Sequence, residues 1–103
     1  MLNLKVYIYL IQIYKNINLN DANLNGSTLK GSSMNNSKFY NAMLSDSDLS
    51  NCVFTDSVFN NAIMDNCDFN GAVLTYVYFW DTSLKKSIFY ASDLRTVAFK
   101  IPT

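Results

Sequence analysis

Side chains able to do chemistry are few in this chain. It has 103 residues, two cysteines and eight acids, all of them aspartate, with no glutamate and no histidine. Without histidine, no Ser–His or Cys–His pair can be built, so a hydroxyl or thiol nucleophile lacks its usual activating base. Cys52 and Cys67 are the only thiols, and a zinc site would want more ligands at tighter spacing. The aspartates read as surface groups with no pocket to tune them toward acid–base work. No catalytic residue, cofactor or metal site is therefore expected, and the chain is not expected to be an enzyme. What remains is the chemistry of contact. Tyr40, Tyr78 and Trp80 could offer an apolar patch, and Asp46, Asp48, Asp65 and Asp68 an acidic one. Whether either set converges depends on the elements that carry it.

Those elements follow one rule. Leu19, Leu24, Leu29, Met34, Phe39, Leu44, Leu49, Phe54, Phe59, Met64, Phe69, Leu74, Phe79, Leu84, Phe89, Leu94 and Phe99 recur every five residues without a break. Neither a helix nor a flat strand has that period, whereas repeat architectures do. Two residues before each large one stands a small one, among them Ala22, Ser37, Cys52, Ser57, Ala62, Cys67 and Ala72. Both positions point inward, and close packing restricts the size of each. The small position is read as limited by volume more than by polarity. Two residues after the large one come Asp21, Gly26, Gly31, Asn36, Asn41, Asp46, Asn51, Asp56, Asn61, Asn66 and Gly71. These residue types accept positive φ at low cost, so the chain is expected to turn once per repeat.

Ala22-Asn23-Leu24-Asn25-Gly26, Ser47-Asp48-Leu49, Cys67-Asp68-Phe69-Asn70-Gly71 and Ser92-Asp93-Leu94 resemble the pentapeptide repeat family, whose motif is roughly Ala-Asp/Asn-Leu-x-x. The resemblance covers about residues 17 to 100. It implies an all-β fold, a right-handed quadrilateral parallel β-helix with four pentapeptides per coil and just over four coils. The expected organisation is an N-terminal cap segment over 1–16, the β-helix over 17–100 and a short tail at 101–103. Within the cap, Tyr7 and Gln12 would fall at the small position, where they do not fit. Cys52 and Cys67 would lie on different faces, as buried thiols unsuited to a disulfide.

Formal charge is zero, but residues 39–84 hold six aspartates and no lysine or arginine, while both flanking segments are net positive. The apolar run near the N-terminus is too short to span a membrane as a helix, which takes about 20 residues. Cytoplasmic localisation is expected, with a secreted effector as the alternative. The C-terminal coil has no evident cap, and an open coil end invites pairing with a second copy, as a homodimer.

If residues twenty apart stack, one face is centred on Leu19, Phe39, Phe59, Phe79 and Phe99 and carries Lys38, Tyr40, Val58, Tyr78, Trp80 and Lys100 outward. The main functional expectation is a non-catalytic protein-interaction scaffold, with its partner undefined and no direct nucleic-acid binding. The resemblance implies two alternatives. Quinolone-resistance relatives inhibit DNA gyrase by imitating duplex DNA, and similar β-helices form parts of secreted bacterial effectors. The mimics are longer, dimeric and strongly acidic, whereas this chain is neutral overall.

The repeat generates a direct test. Phe59→Ala should cost about 3–5 kcal/mol in urea unfolding, the amount typical of a buried ring. Asn60→Ala, at an outward position, should cost under about 0.5 kcal/mol. A near-neutral Phe59→Ala would show that the large position is not internal.

Overall fold

The computed structural model describes residues 13–100. Most of the expected N-terminal cap, Tyr7 and Gln12 included, and the 101–103 tail lie outside the described residues.

Local structure begins with a reverse turn in each pentapeptide. In most of them the N–H of the small residue donates to the C=O of the large residue three before it, as in Ala22 to Leu19 at 3.2 Å and Ser57 to Phe54 at 2.9 Å. The third residue of that turn has positive φ, for instance 63° at Asp21, 57° at Asn36 and 72° at Gly71. A positive φ there is the mark of a type II turn and explains the Gly, Asn and Asp series.

Between turns the chain is extended for only about three residues. Two such segments register as strands, β1 (Tyr78–Trp80) and β2 (Ala98–Lys100). They pair in parallel as Tyr78↔Ala98, Phe79↔Phe99 and Trp80↔Lys100. The other segments pair through single parallel bridges, such as Lys38↔Val58, Asp48↔Asp68 and Val53↔Val73. Every pairing joins residues twenty apart. The chain is thus a β-helix in which four pentapeptides separate stacked partners, with no α-helix among the described residues. The ladder reaches back to Ile13, which pairs with Ser33, and Tyr14 packs against the core at the large position.

Backbone donors are met by an arrangement that repeats from coil to coil. The large residue's N–H reaches the next coil, as Leu24 to Met43 at 2.7 Å, and so does that of the positive-φ residue, as Gly26 to Ser45 at 2.8 Å. The residue before the large one reaches the previous coil, as Met43 to Ala22 at 2.9 Å. The N–H just after the large residue takes a side-chain acceptor: Asn25 N–H bonds Asn23 Oδ1 at 3.1 Å, and Ser45 N–H bonds Asn25 Oδ1 at 2.8 Å. This agrees with the rule that buried backbone donors find partners.

The large residues from Leu24 to Phe79 are all 0–3% exposed. Phe39, Phe59, Phe79 and Phe99 form one stacked column, with ring centroids 4.5, 5.3 and 5.3 Å apart. Phe54 meets Phe39 and Phe59 edge-on, at 5.9 and 5.2 Å. Both arrangements suit the aromatic quadrupole. Burial of the large position, expected all along the repeat because it points inward, lapses at the ends. Leu19, Leu84 and Phe89 are half-buried, and Leu94 and Phe99 are 39% and 55% exposed. A solenoid coil is covered only by its neighbours, and no described coil covers the last one.

Two features escaped the sequence reading. The first is polar use of the small position. Ser57 Oγ donates to Met34 C=O at 2.9 Å, Cys52 Sγ to Leu29 C=O at 2.9 Å, and Thr82 Oγ1 to Phe59 C=O at 2.8 Å. Ser57 Oγ also accepts from Ser37 N–H at 3.0 Å. Ser, Cys and Thr at these positions therefore stitch coils together where Ala only fills space, with the exception of Ser32, whose buried Oγ has no hydrogen-bond partner. The second is that the turn continues after Gly71 through Tyr76, Asp81, Lys86, Ala91 and Thr96, with φ of 59°, 55°, 60°, 57° and 56°. Four of these five are types that rarely adopt positive φ, and β-branched Thr96 is the most strained.

Two predictions follow from this geometry. Ala91→Asn places at a strained turn the residue type used at Asn41, Asn51 and Asn61, and should stabilise by about 0.5–1 kcal/mol. The urea midpoint should rise with unchanged slope; a fall would show that the turn is not strained.

The thiols give a pH dependence. Burial pushes Cys52 and Cys67 up to about 12 from the ordinary 9.0, outweighing the backbone amides that pull the other way. An unfolded thiol ionises above its ordinary pKa while the folded one stays neutral, so this contribution is intact below pH 9.0 and is lost as pH rises toward about 12. The slope is up to about 1.4 kcal/mol per pH unit for each thiol. A Cys52→Ala/Cys67→Ala variant should lose stability less steeply across that window; equal slopes would refute the assignment.

A candidate interaction surface

Register decides which outward side chains meet. β1 alternates Tyr78 out, Phe79 in and Trp80 out. Tyr78 follows Val58 and Lys38 in one outward row. Trp80 follows Asn60 and Tyr40 in the neighbouring row, one residue beyond Phe79, Phe59 and Phe39. Side-chain acceptors hold this second row: Tyr40 N–H donates to Asn20 Oδ1 at 2.9 Å and Trp80 N–H to Asn60 Oδ1 at 3.2 Å. Asn60 thus has a structural partner, which corrects the near-neutral expectation for Asn60→Ala. Losing that hydrogen bond should cost about 0.5–1.5 kcal/mol.

The three aromatics converge. Tyr40, Val58, Asn60, Tyr78 and Trp80 line one shallow cavity of about 260 Å³. Tyr78 meets Trp80 edge-on at 6.1 Å, and Lys100 Nζ stands 5.7 Å from the Trp80 ring centroid. Tyr78 and Trp80 are 47% and 44% exposed. Two rings anchored on a paired strand give broad apolar area at low side-chain entropy cost.

The acidic set is differently placed. Asp46 is exposed at a positive-φ turn. Asp48 and Asp68 are direct cross-strand partners. Their oxygens are engaged locally: Asp48 Oδ1 accepts from Ser50 N–H at 3.0 Å and Ser50 Oγ at 2.6 Å, and Asp68 Oδ1 from Asn70 N–H at 2.8 Å. Asp65 Oδ1 accepts from Ser83 Oγ at 2.6 Å and Lys85 N–H at 2.9 Å. Two of the four carboxylates, Asp48 and Asp68, therefore act as acceptors in the manner of Asx turns, and Asp65 bonds the following coil.

A second hollow, of about 380 Å³, is lined by Thr75, Tyr76, Arg95 and Thr96. Arg95 forks onto Asp93, with Nη2 at 2.7 Å and Nε at 2.9 Å, and these bonds hold the Asp93 carboxyl below its usual range. The signal for this hollow was present in the sequence, since Tyr76 breaks the Gly/Asn/Asp turn series. Among the described residues no group of three or more His, Cys, Asp or Glu could hold a metal ion. No described helix is long and apolar enough to cross a membrane.

Comparisons with known proteins agree with this geometry. Two family models, both described as pentapeptide repeats, match residues 39–83 with nine copies and 17–56 with eight. Among solved structures, HetL, a pentapeptide repeat protein involved in heterocyst differentiation regulation in the cyanobacterium Nostoc, superposes with a TM-score of 0.82 at 14% identity, over 93% of this chain and 46% of HetL. A pentapeptide repeat protein from the Arabidopsis thaliana thylakoid lumen gives 0.72 at 20% identity, over 79% of this chain and 60% of its own. The chain thus spans about half the length of HetL. No curated protein matches significantly. With the five-residue period, the positive-φ turn in every repeat and the twenty-residue ladder all in place, the chain belongs to the pentapeptide repeat family.

Proposed function

We propose that this chain is a non-catalytic protein-interaction scaffold. Its frame would be a right-handed, four-sided coil of just over four turns, preceded by a cap segment over 1–16 whose last residues, from Ile13, already join the ladder. The observation that carries the reading is the shared cavity of Tyr40, Tyr78 and Trp80. It sits on a ladder whose backbone donors are bonded from coil to coil up to the last, so the rings are displayed at fixed spacing. Interfaces draw their binding energy from such anchored aromatics.

Supporting this over catalysis, the chain has no histidine, and its buried thiols have pKa values raised to about 12, the reverse of what a nucleophilic thiolate needs. Two thiols left unpaired suit a reducing compartment such as the cytoplasm. DNA mimicry is the weaker reading, because Asp48 and Asp68 spend carboxylate oxygens on their own turns and Asp65 on the following coil. A homodimer through the C-terminal coil would bring the Lys85, Lys86 and Lys100 charges of two copies together.

The test compares two variants against a purified protein partner. Trp80→Ala should weaken binding at least about tenfold, equivalent to about 1.4 kcal/mol, at both low and high salt. The quadruple change of Asp46, Asp48, Asp65 and Asp68 to Asn should change affinity less than threefold, about 0.65 kcal/mol. Loss confined to the quadruple variant, and abolished above about 0.1 M salt, would transfer the function to the acidic patch.

A further inference from the structure

We propose that the cleft between Tyr40 and Trp80 binds a proline-rich peptide in the polyproline II conformation, with an acidic residue beside its second proline. The proposal rests on the aromatic surface being the working face, and adds the chemistry of the occupant.

The argument begins with spacing. Tyr40, Asn60 and Trp80 follow one another on successive coils, and parallel strands lie about 4.8 Å apart. The strands bearing the two aromatic walls are therefore about 9.6 Å apart, with the shorter Asn60 and Val58 forming the floor between them. A flat ring inserted midway would lie about 4.8 Å from each wall, within the range of ring contacts. A polyproline II segment rises about 3.1 Å per residue with three residues per turn, so prolines i and i+3 lie about 9.3 Å apart on one side. That matches the two-coil spacing. With the first proline in the cleft, the second falls on the far side of Trp80, and the indole stands between them.

The surroundings choose the same occupant. A polyproline II segment is already extended before it binds, and aromatic-lined grooves exploit this low ordering cost. A cavity of about 260 Å³ is small for a drug-sized ligand, which fills about 300 Å³ or more, but it suits one ring of a longer chain. Tyr and Trp hydroxyl and indole donors at the cleft can meet the carbonyls that a polyproline II backbone leaves unbonded. Charge sets the flank. The two outward rows of this face, Asn18, Lys38, Val58, Tyr78 and Ala98 beside Asn20, Tyr40, Asn60, Trp80 and Lys100, contain two lysines and no acid. Lys100 stands over Trp80 on that far side, so the second proline displaces its ammonium outward, where an aspartate or glutamate would meet it.

Trp80 is the only tryptophan, so its fluorescence reports occupancy of the cleft. The probe is a blocked synthetic peptide with two prolines three residues apart followed by aspartates. Its controls are the same peptide with alanine for proline, and a cello-oligosaccharide, whose flat sugar faces would also stack on rings. The proline peptide should saturate the Trp80 signal, and the alanine peptide should bind at least about tenfold more weakly. Tyr40→Ala should cause a similar loss with an unchanged urea midpoint, and Tyr40→Phe should largely restore binding. Lys100→Glu should weaken binding at low salt and much less above about 0.5 M. Equal binding of the two peptides, saturation by the sugar alone, or indifference to Tyr40→Ala would overturn the proposal. A protein partner that needs Trp80 yet is not displaced by the proline peptide would overturn the polyproline occupant and leave the aromatic face standing. A partner indifferent to both Trp80→Ala and Tyr40→Ala would remove the surface itself.

Discussion

Hydrogen bonds between coils hold this molecule in a single register. Leu24 N–H reaches Met43 C=O at 2.7 Å, and Met43 N–H returns to Ala22 C=O at 2.9 Å, so each residue lies beside the one twenty further along. A slip by one residue would turn every inward side chain outward. A slip by five would keep the large positions inward but would break the match of Phe on Phe and Asn on Asn. The stacked column of Phe39, Phe59, Phe79 and Phe99 and the second stack of Phe69 on Phe89, at 4.8 Å and nearly parallel, both depend on the register and reinforce it. Their ring spacings follow the strand spacing of about 4.8 Å.

The same register repeats interactions that cost stability as well as those that add it. Asp48 directly opposes Asp68, and like charges facing across strands destabilise by a few tenths to about 1 kcal/mol. The fold uses these carboxylates as turn acceptors, which offsets part of that cost. Tyr76, Lys86, Ala91 and Thr96 must take positive φ because a turn is required every five residues whether or not the residue suits it. Most of this strain falls in the last coil, where Leu94 and Phe99 are also the least covered of the large residues. Weak turns and open core thus coincide at one end, and in a solenoid that end is the region expected to open first.

A ladder of this kind is well suited to display. Alternation along β1 sends Phe79 inward and sets Tyr78 and Trp80 outward beside it, so the buried Phe column and the exposed aromatic cavity are two sides of one strand. The side chains that satisfy leftover donors, such as Asn20 under Tyr40 and Asn60 under Trp80, also determine how the two rows sit. The surface is rigid because its supports belong to the same hydrogen-bonded lattice that forms the core.

By itself the sequence determined the period, the inward positions and the turns as far as Gly71, because each is a local requirement: volume at two positions, positive φ at a third. The column holding Tyr40 and Trp80 was legible once residues twenty apart were taken to stack. Other features depended on which atoms meet across coils, and no local property of the chain encodes that. Ser57 and Cys52 read as small fillers, yet their Oγ and Sγ reach carbonyls of the preceding coil. Asn60 read as a spectator, yet it holds the Trp80 amide. Asp65 read as free surface charge, yet its Oδ1 accepts hydrogen bonds from Ser83 and Lys85 of the following coil. Tertiary structure decided these roles because a hydrogen bond depends on distance and direction between groups about twenty residues apart, and only the stacking of one coil on the next brings them within reach.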